Sequence, residues 1–290
     1  MKIRYKIAAT TVAIMCTLVF SSVPTLAADT GAINFGFNTA QSAPQIKTIT
    51  PTATSLTCTP DGTTLLHFTV IGFSSGGWQQ LARLEAQVMK GAVNAGPVIT
   101  VAAGTQSGAK EATYAADAVF QYYWMHGTDY TVKFTLYNTN AQTDTQSSVA
   151  LTYQPAAGLA VEGGAINFAT LNYSQTSSTA TSAVHNSANT PINIGATASA
   201  WQSDVGWASV VPISSLWGSS TTNPTPQQMS PIATLATSGV GTLSGGTGGA
   251  GTPPAAVTTS WYVVVPAASD TFVLVGNYTT STSLTATSTG

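Results

Sequence analysis

The chain has 290 residues, of which only 6% are charged, against about 25% in ordinary globular domains. Eight basic residues stand beside ten acidic ones, and Lys133 is the last basic residue. So little positive charge cannot neutralise a phosphate backbone, which excludes a nucleic-acid partner and leaves a polar surface of Thr, Ser, Asn, Gln and Gly.

The first segment has the three parts of an export signal. Lys2, Arg4 and Lys6 supply a positive start, and Ile7 to Phe20 an uncharged apolar run too short to span a bilayer stably. Ser21-Ser22-Val23-Pro24 breaks the run, and Thr25-Leu26-Ala27 sets small residues before a peptidase site. The expectation is a signal peptide over 1–27 cleaved after Ala27, with Ala28 as the alternative. Met15, Cys16 and Ser21 do not form a lipobox, and Ser281 to Gly290 has no hydrophobic tail. A secreted or cell-surface chain without a stable transmembrane anchor after cleavage is expected. Loss of the three leading basic residues leaves five against ten acidic ones, a net charge of −5. Cys58 alone survives processing and cannot form an internal disulfide; it is read as buried, with an intermolecular link as the alternative.

Behind the signal the chain reads as β. The stretch Thr30 to Thr54 is extended. Pro60-Asp61-Gly62 turns into an apolar, β-branched strand, Thr63 to Ile71. Gln80 to Lys90 fits either a helix face (Leu81, Leu84, Val88) or a strand (Leu84, Ala86, Val88 against Arg83, Glu85, Gln87); its surroundings favour the strand. Pro97 to Val101 and Val119 to Trp124 are further strands. Gly127-Thr128-Asp129 is read as a turn into Tyr130 to Tyr137, where Tyr130, Val132, Phe134 and Leu136 alternate with polar residues. Ala180 to Val184, Pro191 to Ile194, Trp261 to Pro266 and Tyr278 to Thr287 continue the pattern, and the Gly/Pro-rich stretch 242–256 reads as a long mobile loop.

Gly31-Ala32-Ile33-Asn34-Phe35 recurs as Gly164-Ala165-Ile166-Asn167-Phe168, and Pro155-Ala156-Ala157-Gly158 has the composition of a linker. The reading is all-β: two immunoglobulin-like antiparallel β-sandwich domains in tandem, 28–157 and 158–290, each large enough for its own core.

Gly127-Thr128-Asp129-Tyr130-Thr131-Val132 resembles the penultimate turn and strand of immunoglobulin-like modules on prokaryotic surface proteins. Ile166-Asn167-Phe168, followed by Val184 to Ile194 and then Trp201, is similar to a pattern in secreted archaeal and bacterial β-sandwich proteins. Ala169 stands where that pattern has glycine. The resemblance covers about a third of the chain, implies a structural or adhesive surface role, and brings no catalytic residues with it.

Constellations for chemistry are sparse. His67, His126 and His185 are separated from one another and from Cys58, and no HExxH, HxH or CxxC spacing occurs, so no metal is expected. His67 reads as a strand residue and the other two as solvated turn residues. Gly246 to Gly251 matches G-x-G-x-x-G, but Thr252-Pro253-Pro254 forbids the helix that would hold a pyrophosphate, so no cofactor is expected. The carboxylates read as turn residues. Trp124 and Trp261 lie in apolar strands, whereas Trp201, Trp207 and Trp217 lie in a Ser/Gly/Pro-rich region and could present flat faces to sugar rings. Asn172-Tyr173-Ser174 and Asn277-Tyr278-Thr279 are N-glycosylation sequons.

These features predict a non-enzymatic structural or adhesive extracellular protein, a filament or surface-layer subunit assembling by β-strand addition through Thr30 to Thr54. Its partners would be copies of itself or other surface proteins and glycans. The alternatives are a secreted carbohydrate-binding module and a secreted hydrolase using carboxylates. N-terminal sequencing of the exported protein should begin at Ala28 or Asp29; retention of Met1 to Ala27 would overturn the cleavage assignment.

Overall fold

A computed structural model describes residues 42–199, 201–204, 211–220, 224–229, 242–243, 252–267 and 276–288. Segment 1–27 with Ala27, the first Gly-Ala-Ile-Asn-Phe copy and Trp207 lie outside the described residues. Among the described residues there is no α-helix, and no helix is long and apolar enough to cross a membrane.

The first half contains β1 (Gln45–Pro51), β2 (Ser55–Leu56), β3 (Thr63–Phe73), β4 (Leu81–Lys90), β5 (Val93–Asn94) and β6 (Ile99–Val101). It continues with β7 (Thr105–Gln106), β8 (Glu111–Gln121), β9 (Gly127–Asn138), β10 (Thr143–Ser147) and β11 (Leu151–Tyr153). One sheet has the order β1-β3-β8-β7, the other β2-β11-β9-β4-β5, with β10 also on β9 and β6 also on β4. The orders β1-β3-β8-β7 and β11-β9-β4 are those of the two layers of an immunoglobulin-type sandwich. Tyr130, near the start of β9, donates its hydroxyl to the Met125 carbonyl at 2.6 Å, the corner contact found at this point of such sandwiches.

Alternation explains why these residues form two packed layers. Leu66, Phe68 and Val70 of β3 are buried, and their neighbours Leu65, His67 and Thr69 are exposed. Large inward residues lie opposite small ones: Leu66 opposite Ala118 and Phe68 opposite Ala116 in one sheet, Phe134 opposite Ala86 in the other. This matching leaves room for Phe68 and Phe134 to meet edge-to-face across the layers, 5.1 Å between centroids. Gly72 allows a similar close approach, since a Cβ there would stand 2.7 Å from Leu136 Cδ2.

The second half contains β12 (Leu159–Glu162), β13 (Ala180–Asn186), β14 (Ile192–Ala198), β15 (Gln202–Ser203) and β16 (Leu216–Ser220). Then follow β17 (Gln227–Gln228), β18 (Thr242–Leu243), β19 (Val257–Val263), β20 (Tyr278–Thr279) and β21 (Thr282–Ser288). The described strands form antiparallel sheets ordered β12-β13-β19-β16-β17, β18-β14-β21 and β15-β20, which does not repeat the order of the first half. Val184, Ile192, Ile194, Trp201, Leu216 and Trp261 form its core, separate from the core of the first half. Residues 41–290 nevertheless make one compact unit.

Several boundaries differ from the expectation. Residues 80–90 do choose the strand, preceded by a short 3-10 turn at Trp78–Gln80. The strand expected to reach Trp124 stops at Gln121, because Trp124 N–H turns back to the Gln121 carbonyl and places its ring against Phe120. The chain therefore turns over 122–125, and Gly127 to Asp129 already belong to β9. Ile166 and Phe168 pack on the second core without forming a strand. Thr242 and Leu243 are not loop but pair with β14. Tyr278 to Thr287 is broken at Thr280 and Ser281, where Thr280 Oγ1 donates to the Ser199 carbonyl, Ser281 N–H donates to Ser199 Oγ, and the chain passes from one sheet to another. The part of Thr30 to Thr54 within the described residues is not free for a neighbour: β1 pairs along β3. At Ile46 its outer edge is also engaged, the N–H donating to Asp144 at 2.7 Å and the carbonyl accepting from Gln146 at 2.9 Å.

Burial pushes the Tyr114 hydroxyl up to about 12, and pushes Tyr130 and Tyr153 up as well, with Asp129 adding to the first and a Cys58 contact to the second. Unfolded tyrosines ionise near about 10, so the folded state holds protons that the unfolded chain releases. Their contribution is complete below pH 10 and is lost as pH rises from 10 toward 12. Tyrosinate absorbance of these residues should appear together with loss of β circular dichroism; ionisation in a chain that stays folded at pH 10 would contradict this packing.

Candidate functional site

The asparagine-rich turn between β13 and β14 is where the two halves meet. Asn186, Ser187, Ala188, Asn189 and Thr190 are all buried, although four of the five are polar. Burying such a run is costly unless every polar group finds a partner. Within the turn, Asn186 Nδ2 donates to the Thr190 carbonyl at 2.7 Å, and Ala188 N–H donates to Asn186 Oδ1 at 3.0 Å. This side-chain closure is the reason asparagine suits a tight turn.

Thr190 Oγ1 also donates to Asn189 Oδ1 at 3.4 Å, and further bonds go to the first half and the connection. Asn189 Nδ2 donates to the Gln154 carbonyl at 2.8 Å while its Oδ1 accepts from Ala156 N–H at 2.7 Å. Asp61 N–H donates to the Ser187 carbonyl at 2.9 Å, and Ser187 N–H to the Gly158 carbonyl at 3.2 Å. The Asn189 carbonyl faces His126, whose backbone N–H lies 3.4 Å away and Nδ1 3.3 Å away. Ala188 enters the apolar core of the first half. Gly158 is required here, since a Cβ would meet Ser187 Oγ at 2.5 Å and Ala188 Cβ at 3.0 Å.

A second contact crosses the junction outside the turn. His185 Nε2 lies 2.9 Å from Asp61 Oδ1, and its Nδ1 lies 2.9 Å from Glu162 Oε1, close enough for an ion pair though poorly angled for a hydrogen bond. The His185 side chain is only 18% exposed, which corrects its reading as a solvated turn residue. The cause is Asp61, 124 positions away and brought alongside by the fold. This is also where two carboxylates converge, but the imidazole stands between them and both its nitrogens face a carboxylate. The imidazole thereby links a carboxylate of the first half to one of the second.

Cys58 is buried beside this junction, Sγ 3.6 Å from the Tyr122 carbonyl. Burial pushes its thiol up, against the opposing effect of contacts with Tyr153 and Asn189. It is a buried neutral thiol and not a surface link. Among the described residues no group of three His, Cys, Asp or Glu side chains is placed to hold a metal ion.

Of the tryptophans expected to form a platform, Trp201 and Trp217 are placed differently. Trp201 is buried in the second core and shows no face to solvent; Trp207 lies outside the described residues. Trp217 lies on the outer face of the five-stranded sheet, parallel to Tyr262 within 5° and 6.0 Å from it between centroids. The sequence reading missed Tyr262, because only the strand register places it opposite Trp217. Asn172 is exposed at a turn, whereas Asn277 is exposed but has its amide nitrogen bound to Asp204 at 2.7 Å. His67, on the outer face of β3, pairs with Asp117 at 2.6 Å.

No known family model matches the chain, and neither does any curated protein.

Replacing Asn189 by Ala removes the partner of the Gln154 carbonyl and of the Ala156 N–H, two part-buried bonds contributing about 0.5–1.5 kcal/mol each. Urea unfolding should show the full loss for N189A; a change below about 0.5 kcal/mol would mean that the turn does not hold the halves together. G158A should destabilise by the same route, through displacement of Ser187.

Proposed function

We propose that this chain is a non-enzymatic structural or adhesive protein of the cell surface or extracellular space, its two β-rich halves joined as one load-bearing unit. The observation that carries this reading is the junction. Five consecutive residues of the second half are buried, bonded partly to one another and partly to the first half and the connection. An enzyme or a mobile two-domain receptor gathers its buried polar groups around a cleft, and inter-domain surfaces that move are open and loosely packed. Here they are consumed in holding two sandwich-like bodies together, an arrangement suited to transmitting force rather than turning over a substrate.

The charge distribution supports the same reading. With no Lys or Arg after Lys133, the second half offers hydroxyl, amide and aromatic contacts that change little with salt or pH. Such contacts suit a protein outside the cell, where neither is controlled. Assembly into a filament or layer belongs to this proposal, through sheet edges other than β1.

Antibody labelling of intact cells, with sizing and negative-stain imaging of the purified mature protein, tests it. Surface labelling and ordered assemblies at high concentration are expected. A strictly monomeric protein found only in the medium would overturn it.

A further inference from the structure

We infer that the outer face of the five-stranded sheet is a binding surface for a neutral glycan chain, with Trp217 and Tyr262 as its stacking platform. This rests on the adhesive reading above and supplies the ligand class that the reading lacks. Directly opposed residues of neighbouring strands point to the same face, so the register defines what is displayed there. Gln228, Trp217 and Tyr262 form one row across β17, β16 and β19. Ser219, Ser260 and Thr181 form the next, across β16, β19 and β13. All six are exposed or half-buried, while the residues between them, including Gly218, Ser220 and Trp261, face inward.

The two rows offer complementary chemistry. The aromatic rings stack parallel within 5°, with centroids 6.0 Å apart, and both are only half-buried, so the pair makes one apolar patch on this face. Aromatic rings receive the apolar C–H faces of pyranose rings, and the hydroxyl and amide groups beside them exchange hydrogen bonds with sugar hydroxyls. Neither row contains a charged side chain. Glu162, at the far edge of this sheet, is directed to His185. With no Lys or Arg anywhere after Lys133, the face has nothing to attract a uronate, sulfate or phosphate polymer. The ligand that matches an uncharged face of rings and hydroxyls is an uncharged polysaccharide.

A cross-strand aromatic pair also stabilises a sheet, so the test must separate binding from folding. The probes are insoluble cellulose and chitin, with polygalacturonate as the anionic control, each mixed with the mature protein and read as bound fraction. Binding to cellulose or chitin but not to polygalacturonate is expected. W217T and Y262T should each weaken it about tenfold or more while the melting temperature stays near that of the parent. Should either variant fold poorly, S260R leaves both rings in place and obstructs the second row, and it should weaken binding as well. Absence of binding to both neutral polymers overturns the inference, as does equal binding by parent and variants. A change in self-association in place of glycan binding overturns it too, marking the face as a contact between copies. Cell-surface labelling of W217T separates the two proposals: labelling that persists while glycan binding is absent leaves the structural role standing and removes only the glycan.

Discussion

The buried turn Asn186 to Thr190, with His185 beside it, joins the second half to the first. A polar backbone segment enclosed by protein is stable only if its donors and acceptors are paired, and here most of the partners belong to the first half or to the connection. The turn and its socket are therefore stable together or not at all. Asn189 is central because one side chain answers both a carbonyl and an N–H of the connecting segment, which fixes the path of 154–158. Gly158 then gives that path room to pass under Ser187, and His185 closes the outer side against Asp61.

The neighbouring aromatic cluster provides the rigid wall that such a turn needs. Phe120, Trp124, Tyr130 and Tyr153 stand at mutual centroid distances of 5.5–6.4 Å. Tyr130 and Lys90 both bind the 125–126 segment, which in turn meets Asn189. Packing in the first half thus positions the socket, and the socket positions the second half. On the five-stranded sheet, two rows of the outer face carry hydroxyls, an amide and the Trp217–Tyr262 pair.

The β class was legible because Tyr130 to Leu136 alternates strictly, a period that a strand with one buried face needs, and because Thr63 to Ile71 is apolar and β-branched. Strand ends were less so. Tyr122 to Trp124 are as apolar as the strand before them, and what ends that strand is a return of the chain that brings Trp124 onto Phe120, a tertiary fact. The junction was not legible. Asn186 to Thr190 has the composition of an exposed turn, and nothing local distinguishes it from one, since its partners Asp61, His126 and Gln154 are far away in sequence. Cys58 was legible as a buried thiol. Of the tryptophans, composition grouped Trp201 with Trp217, but packing buries Trp201 just before β15, whereas strand register leaves Trp217 half-buried on the outer face of β16.

The central claim is that the two halves unfold as one unit through this turn. Native-state amide exchange of the mature protein tests it most directly, because local and global opening have different free energies. The account predicts that the amides of Ala156, Ser187 and Ala188 exchange as slowly as those of Phe68 and Phe134 in the core strands. Exchange of those junction amides by a low-energy local opening, while the core strands remain protected, would contradict it.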